Sequence, residues 1–299
     1  MRAPTPSKAS PAKIPTSKAS PSKAHKVQFG RRFAAGRLEN AWSALHTGDK
    51  EPFPNAAHVA QLAKRHVKFA RWVDEHGGAA TVAAGVQEAW RCFHAGDFAG
   101  SIVMGAKFGS LGATAANKAA AIHSLTAGVT DPVHLLTAAI ERGERAVDEI
   151  PDDSNAHYML ALALGRYSQR ISILRAAADG TAARVRKHLD AALDLEPKHA
   201  EAHVAMGLYH AEIVSKIGSM LAGLTYRASA AAAVEHFRRA LKLAPNSPIV
   251  RIEYANGLLL LDAAQNADEA AKLYARAASF EPQDAMEQLD VERARRGPE

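Results

Sequence analysis

Four segments of this 299-residue chain end alike: Ala146-Val147-Asp148-Glu149-Ile150-Pro151, Ala192-Leu193-Asp194-Leu195-Glu196-Pro197, Ala240-Leu241-Lys242-Leu243-Ala244-Pro245 and Ala277-Ala278-Ser279-Phe280-Glu281-Pro282. Behind each proline stands a phased set of side chains. Ala270, Tyr274 and Ala277 precede Pro282; Ala233, Phe237 and Ala240 precede Pro245; Val185, Leu189 and Ala192 precede Pro197; Ala139, Gly143 and Ala146 precede Pro151. Steps of three and four place these residues on one face of a helix, where the small ones admit a neighbouring helix and the large one fills the gap, although Val185 enlarges one small place and Gly143 leaves the first copy without its bulky residue. The proline then ends the helix. After it comes a polar start and a new helical period: Asp153-Ser154, His199, or Asn246-Ser247-Pro248. Such a pattern commits the chain to stacked helical hairpins. A 6% aromatic share amid abundant alanine argues against sheets.

These residues resemble the tetratricopeptide repeat. The resemblance covers residues 131–282. It implies an all-α solenoid of helical hairpins whose first helices line a concave groove for a peptide or helix of a partner, a non-catalytic protein-binding scaffold without a cofactor. Residues 37–130 read as divergent N-terminal helical repeats, with Ala89 to Phe98 matching a first-helix end and turn and Gly105, Gly109 and Gly112 predicting close helix packing. Residues 283–299 read as a polar capping helix.

In tetratricopeptide domains that clamp acidic chaperone tails, the fifth and ninth first-helix places hold lysine and asparagine. Here they hold Tyr158 and Leu162, Val204 and Leu208, and Ile252 and Asn256. Only Asn256 matches, so the resemblance implies a more apolar ligand.

The proline spacings of 46, 48 and 37 exceed the family's regular period of about 34. Arg166 to Leu174, and Tyr209 to Leu221, keep apolar residues at helical spacing and predict first helices prolonged by several turns. These extensions resemble those of repeat proteins that regulate microtubule dynamics. They carry Arg166, Tyr167, Gln169, Arg170, His210, Glu212, Lys216 and Tyr226, a candidate polar patch able to hold a carboxylate or phosphate. An ion pair between an arginine and Glu212 is the plain structural reading of the same residues. An enzymatic alternative would use Arg166, Arg170, His210 and Glu212, the imidazole serving as acid or base. His157 and His203 share one repeat position and read as core histidines.

Nine of the 37 basic side chains precede the first acidic residue, Glu39, leaving 28 basic against 31 acidic in residues 38–299. The net charge of +6 therefore comes from the first 37 residues, of which 1–36 form a basic Pro/Ser/Lys segment expected to be disordered, with Lys8, Lys13, Lys18 and Lys23 spaced by five. Residues 1–28 could touch nucleic acid weakly and without sequence preference. The single cysteine, Cys92, excludes an internal disulfide framework and reads as a small core residue. No apolar leader or membrane span is evident, so the expected location is the cytoplasm.

Overall fold

The structure is a computed structural model that describes Phe33, residues 36–126 and residues 128–298. The basic N-terminal segment and its possible nucleic-acid contacts lie outside the described residues. Within them the chain is all α, without a strand. Three short helices come first: α1 (Arg37–Leu45), α2 (Ala56–Arg65) and α3 (Val67–Glu75). Five hairpins follow. They are α4 (Gly78–His94) with α5 (Phe98–Ala106), α6 (Gly109–His123) with α7 (Pro132–Glu149), α8 (Ser154–Ser168) with α10 (Thr181–Leu195), α11 (Ala200–Ile217) with α13 (Ala230–Leu243), and the two halves of α14 (Pro248–Ala278). Helices α9 (Ile173–Ala178) and α12 (Ser219–Tyr226) are insertions, and α15 (Ala285–Arg296) closes the chain. Asp262, with non-helical φ and ψ, separates the halves of α14.

The phased residues are the packing residues. Ala233, Phe237 and Ala240 are fully buried, as are Leu189, Ala192, Ala139 and Ala277. The Phe237 ring lies against Gly207 on α11 and Gly257 on α14, where a Cβ at either glycine would collide with it. Gly105 and Gly112 likewise bring α5 and α6 into backbone contact, since a Cβ on each would strike the other's carbonyl oxygen. The start signals act as caps: Asp153 accepts from the Asn155 amide at 2.8 Å, and the His199 ring accepts from the Ala202 amide at 3.0 Å.

The predicted extensions are shorter than continuous helices. After α8 ends, Gln169 and Arg170 turn the chain and Ser172 caps the separate α9, accepting from the Arg175 amide at 3.2 Å. Helix α11 does run on to Ile217, then breaks at Gly218, whose φ of 79° a side-chain-bearing residue adopts with strain. Cys92 is half-buried at the edge of α4, not a core residue. Among the described residues no helix is long and apolar enough to cross a membrane.

Candidate functional site

The first helices α4, α6, α8 and α11 line the inner face, and the chain itself occupies much of it. The segment His46–Pro54 crosses all four. Gln87 donates to the Pro54 carbonyl at 3.0 Å, and Thr114 to a Glu51 carboxyl oxygen at 3.2 Å. Asn155 donates to the Asp49 carbonyl at 2.9 Å, and the Glu201 amide to the Gly48 carbonyl at 3.1 Å. Lys118 stands between two carboxylates, 2.6 Å from Asp49 and 3.0 Å from Glu201. Tyr158, one of the expected groove residues, donates its hydroxyl to Glu201 at 3.1 Å.

Burial opposes ionisation of Asp49, yet the charges of His46 and Lys118 outweigh it and hold the carboxyl well below its usual range. Burial also works against the Lys118 ammonium, and the two carboxylates overcome it and raise its affinity for the proton. Glu51 has no such partner. Burial, with Asp153 and Asp49 nearby, pushes its carboxyl well up.

The ends of the array meet beside this segment. His94 at the end of α4 bonds Asp284, the cap of α15, at 2.7 Å, and Ala285 and Met286 pack against the N-terminal core. Closure leaves a central cavity of about 500 Å³. Tyr158, Leu162, Arg166, Val204 and Leu208 line it, together with Lys118, Glu201, Glu253, Asp284 and Asp290. Two of the expected groove residues lie elsewhere. Ile252 is fully buried in the core of the last repeat, and Asn256 is tied to Glu253 and to the Tyr274 hydroxyl.

A second concavity, of about 240 Å³, opens between α8 and α11 where the insertions α9 and α12 border them. Its apolar floor includes Leu162, Val185, Leu189, Leu208 and Ile213, with Arg166, Gln169, Glu212, Lys216 and Tyr226 around it. The polar residues form a chain. Arg166 donates to Gln169 at 3.3 Å, Gln169 to Glu212 at 3.0 Å, and Lys216 to the other Glu212 oxygen at 3.0 Å. The expected pair between an arginine and Glu212 is not formed, because Gln169 takes that place. Arg170 turns away to donate to the Ser124 carbonyl at the end of α6, 3.1 Å off. Tyr167 packs half-buried against the core between α6 and α8.

His210 does not join the patch either. Two residues from Glu212 on one helix, it points the other way, accepting from the Ser229 amide at 3.2 Å and stacking on His236. Burial lowers it to about 4. The shared histidine position has a meaning that the sequence reading missed. His157 Nδ1 meets His188 Nδ1 at 3.0 Å, and His203 Nδ1 meets His236 Nδ1 at 2.9 Å. In each pair the first ring also faces the carbonyl of the preceding loop proline, Pro151 or Pro197. One proton serves each nitrogen pair, so full protonation would oppose two N–H groups. Repeated histidines on both helices of consecutive hairpins were the available signal.

Hairpins of this form, wound so that their first helices line an inner face, define a tetratricopeptide-like helical repeat protein. The fold is similar to that of a thermophilic tetratricopeptide-repeat protein of Thermus thermophilus, with a TM-score of 0.51 and 17% identity over 71% of this chain and 98% of that one. Within this class, residues 115–295 match the family described as regulator of microtubule dynamics protein 1-3, and the chain belongs to that family. No curated protein matches it in sequence.

Proposed function

We propose that the chain is a non-catalytic scaffold that receives an amphipathic helix of a protein partner in the groove between α8 and α11. The carrying observation is the exposed apolar surface on α9 and α12, the short helices that reach the groove through Ala176, Ala177 and Tyr226. Leu174 on α9 is 84% exposed, and Met220 and Leu224 on α12 are 75% and 78% exposed. Full burial of such a side chain contributes about 2 kcal/mol, which the isolated chain forgoes. An apolar floor with Arg166, Glu212 and Lys216 on its rim suits a helix that buries one face and keeps mixed charges at its edges. The inner face is a poorer candidate, since residues 46–54 cover it. The enzymatic alternative is less well supported, because His210 faces away from Glu212, spends Nδ1 on the Ser229 amide, and is made a weaker base by burial.

The family's description names microtubule dynamics, which makes microtubules the first partner to assay. Wild-type protein is expected to pellet with assembled microtubules. A Met220→Asp, Leu224→Asp double variant is expected to melt at the same temperature and stay in the supernatant. Equal pelleting of the two would remove the groove from the reading, and no pelleting of either would remove microtubules.

A further inference from the structure

We propose that the central cavity is a binding site for an alkylammonium group on an apolar stem, with Asp290 as its anionic partner. Five carboxylic side chains line the cavity: Glu201, Glu253, Asp284, Glu287 and Asp290. Four of them are engaged. Glu201 holds Lys118, Glu253 holds Arg293 at 2.9 Å, Asp284 holds His94, and Glu287 accepts from the Gln283 amide at 2.7 Å. Asp290 is 4% exposed, lines the same cavity and makes no hydrogen bond among the described residues. A carboxyl buried without a partner is costly in either protonation state, and a cation beside it removes that cost.

The remaining wall selects among cations. Leu162, Val204, Leu208 and Met286 give it an apolar side that would accept methylenes and repel a hydrated ion. Among the described residues no three His, Cys, Asp or Glu side chains are placed to hold a metal ion. An anionic guest is disfavoured as well. Five carboxylic side chains face the cavity against Lys118, which is already flanked by Asp49 and Glu201, and Arg166, which donates to Gln169.

Before a cation binds, the carboxyl should hold a proton. Burial, then Glu253, Asp284 and Glu201, push the Asp290 carboxyl well above its usual range, against the opposing charge of Arg293. A bound ammonium stabilises the ionised carboxylate, so binding should release a proton and tighten as pH rises. Two sources can supply the group. One is a free polyamine, and the other is the chain's own Lys8, Lys13, Lys18 and Lys23, which precede buried Phe33, 5.4 Å from the cavity-lining His94.

Titration calorimetry with spermidine, in two buffers of different ionisation enthalpy, tests the proposal on the full chain. Saturable binding with proton release is expected, at least 10-fold weaker in Asp290→Asn at unchanged melting temperature. If the lysines are the resident guest, replacing all four by glutamine should strengthen spermidine binding at least 10-fold, and adding Asp290→Asn should cancel the gain. Should Asp290→Asn melt lower, Ile249→Trp, which narrows the cavity and leaves the carboxyl in place, must show the same loss. Absence of binding in both tail forms overturns the proposal. So does binding that neither cavity substitution weakens, which is attraction to surface acids.

Discussion

His94 and Asp284, 190 positions apart, meet at 2.7 Å and join the first repeat to the last helix. Their side chains are 2% and 6% exposed, so water replaces little of the contact if it is lost. A stacked array contacts mainly its neighbours. Here the terminal helix also packs on the N-terminal core, so its removal is felt at both ends.

Asp284→Ala is therefore expected to destabilise more than a terminal surface change would. It deletes the partner of a buried imidazole and the cap that accepts from the Glu287 amide at 2.8 Å. Together these are worth roughly 2–4 kcal/mol. Urea denaturation gives the total, and hydrogen exchange should rise in residues 44–48 as well as in α15. Faster exchange confined to α15 would mean that the closure is incidental.

Stability should fall on mild acidification. Burial lowers His46, His188, His210 and His236 to about 4, and His199 to about 3. Above pH 6.5 these rings are neutral in both states. Below it the unfolded chain takes up protons that the folded chain refuses down to about pH 4, so stability is lost across that window. Glu51 and Asp290, held protonated by burial and by neighbouring carboxylates, act in the opposite sense and stabilise as pH falls toward 4.5. His58 and His203 are lowered too, and the Asp153 and Glu201 carboxyls raised, so seven histidines oppose four carboxyls and the histidines set the direction, a net loss as pH falls from 6.5 to 5. Urea midpoints that stay level or rise over this interval would contradict the histidine assignment.

Ala240→Leu tests the helical phasing. Ala240 is fully buried between α11 and α13, and added methylenes would force the two helices apart at a cost of about 1–3 kcal/mol. Leu241→Ala, its half-buried neighbour, should cost less than a fully buried truncation. A reversal of that order in thermal melts would place the wrong face inward.

The repeats were legible because their signal is local. Ala233, Phe237, Ala240 and Pro245 state a face, a gap-filler and a stop within thirteen residues, and all three packing residues are buried as that phase requires. The occupancy of the inner face was not legible. Asp49 meets Lys118 and Asn155 across 69 and 106 positions, and no period connects a loop to the helices that it crosses. The polar patch was half legible. Helical spacing grouped Arg166, Glu212 and Lys216 with the right groove, but the turn after α8 swings Arg170 toward Ser124 and leaves Gln169 facing Glu212. Gly218, between Ile217 and Ser219, was a visible stop signal in the second extension that apolar periodicity overrode.

The last prediction concerns Lys118, which holds the inner segment in place. Its side chain is 12% exposed, and its ammonium lies between the carboxylates of Asp49, whose side chain is fully buried, and Glu201, whose side chain is 17% exposed. Lys118→Met preserves the packing of the stem and leaves two carboxyls facing each other without a cation. A loss of roughly 3–5 kcal/mol follows from uncompensated burial. Glu201→Gln in the same background removes one of the two carboxylates, keeps an acceptor for Tyr158, and should restore part of the loss, because contacting residues are not additive. With Lys118 gone, burial is opposed at Asp49 by His46 alone, so its carboxyl rises and binds a proton more readily. The variant's deficit should then shrink as pH falls toward 5, where the parent has already begun to weaken. Hydrogen exchange should quicken at the Glu201 amide, which donates to the Gly48 carbonyl, as the segment lifts off. A variant within 1 kcal/mol of the parent, with that amide still protected, would show that the backbone bonds alone hold residues 46–54 on the inner face.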